Sequence, residues 1–335
     1  MTIKDISALT GYSVGTVSRV LNDQPNVSEK ARRAILEVVN AAGFQLNENA
    51  KQLKQQKATS ILVIVKGSSN ELFGRLIEAL QARVSHKPYP LIVDYLDEDE
   101  NEVLRAIRLC REKKPLGILF LGGNLEHFRR DFAAMELPCV LITGGASQLE
   151  LNNLSSVTTD DLQAGYMAIE HLATLGHRQI AVIGGSREVS DIARLRNEGC
   201  MAACRKHGIV YDPDQDYYTG RFSYADGYQA VKTLLSRGRK FTAIYAMADV
   251  MAIGAIRALQ DCGLQVPGDI SVMGMDGLAI GDFTVPTLTT VRQSVEDLAD
   301  RSVQLLLQQI HGTISPRHET IPPVVEQKES TRQIG

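Results

Sequence analysis

Tryptophan is absent from the 335 residues, and Phe and Tyr number only 8 and 10, so any ring that stacks on a ligand must come from this short supply. No apolar run approaches the ~20 residues that a membrane-spanning helix needs, which excludes that class of protein. The five cysteines (Cys110, Cys139, Cys200, Cys204, Cys262) are odd in number and scattered, a usage that suits reduced thiols rather than a disulfide framework. The first residues, Met1-Thr2-Ile3-Lys4-Asp5-Ile6, carry charge at once and lack the apolar stretch of a secretory signal. A cytoplasmic location is therefore expected. The seven histidines form no His-Glu-x-x-His motif, and no Cys-x-x-Cys pair occurs. Cys200 and Cys204 share a helical i, i+4 spacing without a nearby histidine to complete a zinc set. The Gly-Gly loops have neither the Lys-Ser/Thr of a phosphate loop nor G-x-G-x-x-G spacing. No metal, no cofactor and no catalytic residues are expected.

The net charge of −3 argues weakly against a nucleic-acid partner until it is divided. Residues 1–57 hold eight bases and five acids, an excess of +3, while residues 58–335 hold 28 bases and 34 acids, a deficit of −6. The hydropathy pattern changes at the same place. Before it, apolar residues recur at helical spacing, as in Ile35, Val38, Val39 and Ala42. After it comes a buried-strand run, Ile61–Val65, then a polar loop and a helical stretch over about 71–84. The cycle repeats with strands at 91–93, 118–121, 140–142, 180–183, 243–246 and 270–273, the last followed by a loop at Gly274. Unalternating apolar strands separated by helices predict parallel sheets covered on both faces, the doubly wound α/β class. Some nine or ten cycles exceed one sheet of ordinary size (about 5–6 strands), so two lobes are expected.

Residues 3–11 read as a short amphipathic helix ended by Gly11, and Ser13 can cap a second helix from Val14 to about Leu21. Two short helices around a Gly-containing turn make a helix-turn-helix, whose second helix enters the major groove by its N-terminal end. Val17, Val20 and Leu21 form its packing stripe, while Thr16, Ser18, Arg19 and Asn22 are polar. Gly11-Tyr12-Ser13-Val14-Gly15 also fits the Gly-x-Ser-x-Gly pattern of a hydrolase nucleophile, but no strand can precede residue 11, as that motif requires.

Thr2–Ile6, then Gly11–Asn22, then Val27-Ser28-Glu29-Lys30-Ala31-Arg32 resemble the headpiece of the lactose-repressor (LacI/GalR) family almost position by position. The resemblance implies a DNA-binding headpiece over 1–46, with Thr2, Ile3, Ser13, Val14, Gly15, Thr16, Ser18, Arg19, Asn22 and Asn26 at the DNA. Val14 and Gly15 take the two variable, base-reading positions; glycine has no side chain to donate, so selectivity there falls to Val14 and its neighbours. It further implies a hinge helix over 47–57, in which Asn47, Ala50, Leu53 and Lys54 contact DNA and Leu53 wedges into the minor groove. Lys51 adds a phosphate contact. Relatives usually carry Pro-Asn and Ala-Arg where this chain has Leu46-Asn47 and Ala50-Lys51; without proline's preset φ the unbound hinge is expected to be looser. Residues 47–57 read also as a plain linker.

Residues 58–335 resemble the family's core, which is like a type I periplasmic sugar-binding protein. Its markers are Val157–Asp161 with Gly165, His171-Leu172 with Gly176-His177-Arg178, Gly274-Met275-Asp276, Pro286–Val291 and Glu329-Ser330-Thr331. The implied lobes are about 58–160 with 292–320, and about 161–291 with 321–335. In doubly wound folds ligands sit at the carboxyl ends of strands, which selects Lys66–Phe73, Gly122-Gly123, Gly184–Ser190, Met247–Asp249 and Met275-Asp276. The resemblance marks Phe73, Arg196, Phe222, Asp249 and Asp276 as the effector-binding set. Forked charges and aromatic faces suit the vicinal hydroxyls and C–H faces of a carbohydrate. Phe73 and Phe222 also admit a reading as core residues, and Asp249 as a helix cap.

The expected function is a ligand-responsive transcription regulator, a repressor, binding a near-palindromic double-stranded operator as a homodimer, with no membrane partner. Two competing readings share the core: a solute-binding protein feeding a transporter, which residues 1–57 contradict, and a sugar-modifying enzyme, for which no catalytic constellation is found.

Overall fold

The computed structural model describes residues 3–21, 27–42, 59–67, 70–238 and 240–334. The chain divides into two compact units, Met1–Lys57 and Ala58–Gly335.

In the first unit, α1 (Ile3–Thr10), α2 (Val14–Leu21) and α3 (Glu29–Ala41) close over a small core of Ile6, Val17, Val20 and Ile35. Gly11 takes φ +71° after α1, a conformation that costs glycine little. Ser13 Oγ then accepts from the Thr16 amide at 3.1 Å and Ser28 Oγ from the Ala31 amide at 3.3 Å. Each hydroxyl satisfies a backbone donor that a helix N-terminus leaves open.

The second unit contains two six-stranded sheets. The first has the order β11-β5-β4-β3-β1-β2, with β1 (Ile61–Lys66), β2 (Leu91–Leu96), β3 (Gly117–Leu121), β4 (Cys139–Ile142), β5 (Leu154–Thr159) and β11 (His318–Ile321). The second has the order β12-β10-β9-β8-β6-β7, with β6 (Ile180–Gly184), β7 (Tyr217–Thr219), β8 (Ala243–Ala246), β9 (Ser271–Asp276), β10 (Thr289–Arg292) and β12 (Val324–Glu326). Among the described residues all pairings are parallel except β10–β12, which is antiparallel and departs from the all-parallel expectation. The chain crosses between the lobes after Thr159, after Arg292 and after Ile321.

The helices of the first lobe are α4 (Glu71–Val84), α5 (Glu102–Lys113), α6 (Leu125–Asp131) and α11 (Val295–Ile310); those of the second are α7 (Asp161–Thr174), α8 (Asp191–Lys206), α9 (Tyr224–Ser236) and α10 (Asp249–Asp261). Asn70, Asn101, Asn124, Asp160, Ser190, Ser223 and Ser294 cap seven of these eight by accepting backbone amides. Among the described residues no helix is long and apolar enough to cross a membrane.

Two strand ends differ most from the sequence reading: β2, expected at 91–93, runs on to Leu96, and β9 also extends further. β9 runs through Gly274 to Asp276 rather than ending at a loop there. A Cβ at Gly274 would lie 2.2 Å from Asp249 Oδ1, so the glycine makes room for a neighbouring carboxylate and does not mark a turn.

Candidate ligand cavity and helix-turn-helix face

Both sheets reverse strand order once, between β1 and β3 in the first lobe and between β6 and β8 in the second. Ligands of doubly wound sheets bind outside the carboxyl ends of strands at such switch points. The loops following these four strands line a cavity of about 530 Å³ between the lobes. All five loops selected from the sequence contribute, through Lys66, Gly67, Asn70, Leu72 and Phe73, Gly122-Gly123, Gly185, Ser186, Val189 and Ser190, Met247-Ala248, and Asp276.

Arg196 reaches the cavity because α7 and α8 meet backbone to backbone. A Cβ at Gly165 would stand 1.9 Å from the Arg196 carbonyl oxygen, and one at Gly199 2.0 Å from that of Leu162. This approach sets the buried Arg196 guanidinium on Asp161, at 2.8 Å from Nε, with Nη1 donating to the Met247 carbonyl at 2.6 Å. Asp276 sits beside it at φ +122° and accepts from Gln293 Nε2 at 2.8 Å. Gln293 in turn accepts from Thr159 Oγ1 at 2.6 Å, so Asp276 is held by residues at two of the interlobe crossings. Burial pushes the Asp276 carboxyl up to about 6, against the pull of Arg196.

Phe222 is half-buried over Gly185 and lines the cavity. Phe73 is 7% exposed: it borders the cavity, yet most of it packs into the first-lobe core beneath Gly122. Both sequence readings of Phe73 therefore describe part of its surface.

Asp249 is the exception. It is fully buried and is not among the cavity-lining residues. Its Oδ2 accepts from the Leu278 amide and its Oδ1 from Thr290 Oγ1, both at 2.7 Å. Nor does its side chain cap α10, whose N-cap is Ala248 with no side-chain bond. Asp249 is a brace behind the wall, tying α10 to β10 and the turn after β9. Burial, together with the Asp276 carboxylate, pushes it up to about 8.

Several lining residues escaped the sequence reading. Glu98 and Asp99 follow β2, whose carboxyl end is the signal that marks them. Gln293 follows β10, a strand with no legible run of its own. Thr143 lines the cavity at φ +68° with a buried hydroxyl that has no partner among the described residues. Behind the first-lobe rim, buried Glu102 gathers Lys66 Nζ at 2.7 Å, the Asn124 amide at 2.6 Å and His127 Nδ1 at 2.8 Å.

In the first unit, Ser13, Val14, Gly15 and Arg19 are exposed and Thr16 and Ser18 half-buried, while Val17 and Val20 are buried. The N-terminal turn of α2 thus presents small side chains and Arg19 outward. Thr2, Asn22, Asn26, Asn47, Ala50, Leu53 and Lys54 lie outside the described residues, as does the side chain of Ile3.

Residues 2–47 match the model for bacterial regulatory proteins of the lacI family, and residues 169–331 that for a periplasmic binding protein-like domain. The chain is 32% identical to the transcriptional regulator MalR of Clostridium butyricum, covering 100% of both chains. It is 30% identical to catabolite control protein A of Priestia megaterium, covering 99% of each. Among solved structures, a complex of the transcriptional regulator CelR with cellobiose matches with a TM-score of 0.72 and 25% identity, over 98% of this chain and 99% of that one. The chain belongs to the lacI family of bacterial regulatory proteins and is a DNA-binding transcriptional regulator.

Proposed function

We propose that the chain is a cytoplasmic repressor whose affinity for a near-palindromic operator is set by a carbohydrate effector bound between the core lobes. The observation that carries this reading is the cavity at the two switch points, where Arg196, Asp276 and Phe222 converge on one space. Ligand contact with both lobes favours one relative rotation of them, and that rotation is the two-state element that a hinge can transmit. Residues 1–46 read the operator and residues 47–57 act as the hinge, with Leu53 opening a base step at its centre. The chain works as a homodimer, since a two-fold operator demands two headpieces. The match to a regulator solved with cellobiose supports the ligand class.

The test is a thermal-shift screen of the purified chain against mono- and disaccharides, repeated with Phe222→Ala and Asp276→Asn. A sugar that stabilises the wild type and neither variant is expected; variants that respond like wild type contradict the assignment. Leu53→Ala should weaken operator affinity and leave sugar affinity unchanged, and equal loss of both contradicts the hinge.

A further inference from the structure

The cavity lining contains three cations, and each is already answered by a carboxylate of this chain. Lys66 Nζ lies 2.7 Å from Glu102. Arg196 Nε lies 2.8 Å from Asp161. Arg221 Nη2 lies 2.7 Å from Asp99, with Asp97 and Glu98 at 3.7 and 4.0 Å. Beyond these pairs the lining adds Glu98, Asp226 and Asp276; Glu98 stands with Asp97 and Asp99 around the one Arg221 and is close enough to Asp226 to feel its charge. Arg196 likewise faces Asp276 as well as Asp161.

Helix N-termini are the other natural anion sites, and at each of those lining the cavity one amide is already given to a capping side chain. Asn70, Asn124 and Ser190 line the cavity, and each spends its side-chain oxygen on its own helix. The uncapped start of α10 gives the Asp249 amide to the Asp276 carboxylate. An entering phosphate or carboxylate therefore meets no unpaired cationic side chain in the described lining and several negative ones. In a partly desolvated cleft such like-charge contacts are costly.

We infer that the cavity selects against anions, so that the effector is an uncharged, hydroxyl-rich molecule and not a sugar phosphate or a uronate. A neutral polyol needs acceptors and donors without net charge transfer, which Asp276, Gln293 and the occupied Arg196 supply. This inference rests on the proposed effector cavity, and its test has a readout that does not depend on knowing the ligand.

A cysteine placed at Ile192, a half-buried lining residue, in a Cys262→Ser background reports the local potential through its reaction with charged methanethiosulfonates. Rates for the ethyltrimethylammonium and ethylsulfonate reagents are each divided by the rate with free cysteine and corrected for the parent lacking Ile192→Cys. The cationic reagent should be favoured by about tenfold or more, and the preference should shrink in about 0.5 M salt. Asp99→Asn with Asp226→Asn should shrink it as well. A sulfonate that reacts as fast as the cation overturns the inference. In parallel, neutral sugars are titrated against their own 6-phosphates and uronates. A neutral parent that binds at least about tenfold more tightly than its anionic partners, about 1.4 kcal/mol, supports the inference. A phosphate that binds better than its parent, and loses affinity with Phe222→Ala, overturns the inference while leaving the cavity assignment standing. Binding that Phe222→Ala and Asp276→Asn leave intact sinks the cavity assignment itself.

Discussion

Arg221 of the second lobe and Asp99 of the first meet across the mouth of the cleft at 2.7 Å, with Asp97 and Glu98 flanking the same guanidinium. The contact joins the loop after β7 to the loop after β2, so it exists only while the lobes are apposed. Two more bonds cross between the lobes, from Arg75 Nη1 to the Gly277 carbonyl at 2.8 Å and from Tyr224 to Glu71.

Arg221→Glu turns this clasp into repulsion among four carboxylates. The pair is more than half exposed, so its worth to stability is about 1 kcal/mol or less. The expected result is a thermal midpoint within a few degrees of wild type, together with a larger radius of gyration in small-angle scattering. An unchanged radius contradicts a role for the clasp in holding the cleft closed.

Arg196→Ala leaves Asp161 buried without its partner. Removing one member of a buried ion pair costs about 3–5 kcal/mol, so this variant should melt far below wild type whatever the ligand does. Arg196→Met with Asp161→Leu removes both charges and should recover much of the loss. If Arg196→Ala melted like wild type, Arg196 would be held for the ligand rather than for the fold.

Gly165→Ala places a methyl 1.9 Å from a backbone oxygen that cannot swing aside. Separating α7 from α8 should cost about 3 kcal/mol or more and shift Arg196 off Asp161. Gly208→Ala is a contrasting variant, because nothing lies within 4 Å of its Cβ and only the φ of +64° opposes it. Denaturant unfolding should show the larger loss for Gly165→Ala; the reverse order contradicts the close-packing account.

Asp249 carries the pH dependence. Burial and Asp276 hold its folded pKa up at about 8, against about 3.9 for an unfolded aspartate. Between those values the folded state keeps a proton that the unfolded state has lost, so stability falls as pH rises through the window and levels off above it. Asp276, up at about 6, adds to the lower half of the fall. Asp249→Asn has no proton to release there and should show a shallower drop in melting midpoint between about pH 5 and pH 9. An equal drop contradicts the burial account.

What was legible in the sequence follows from how local each signal is. The helical stretch expected over about 71–84 is where the structure has α4, because an apolar stripe marks it out. Strands β1, β3 and β8 are buried on both faces and announce themselves as apolar runs. β7, β10, β11 and β12 are only three or four residues long and draw their pairing from distant strands, so nothing within them reveals it. The site divides the same way. Arg196, Phe222 and Asp276 stood out through a family pattern and do line the cavity, whereas Gln293 and Thr143 are placed there by crossings and a strained turn. Asp249 showed the converse: its position beside the strand end was right, but the direction of its side chain depends on Gly274, one strand away.

The central claim is that the chain reads a specific operator. Selection from random-sequence duplex DNA by the purified full chain tests it most directly. The account predicts enrichment of a two-fold-symmetric sequence whose binding weakens with salt and is lost with Arg19→Ala; a pool that shows no enriched sequence, or one that Arg19→Ala binds equally well, contradicts it.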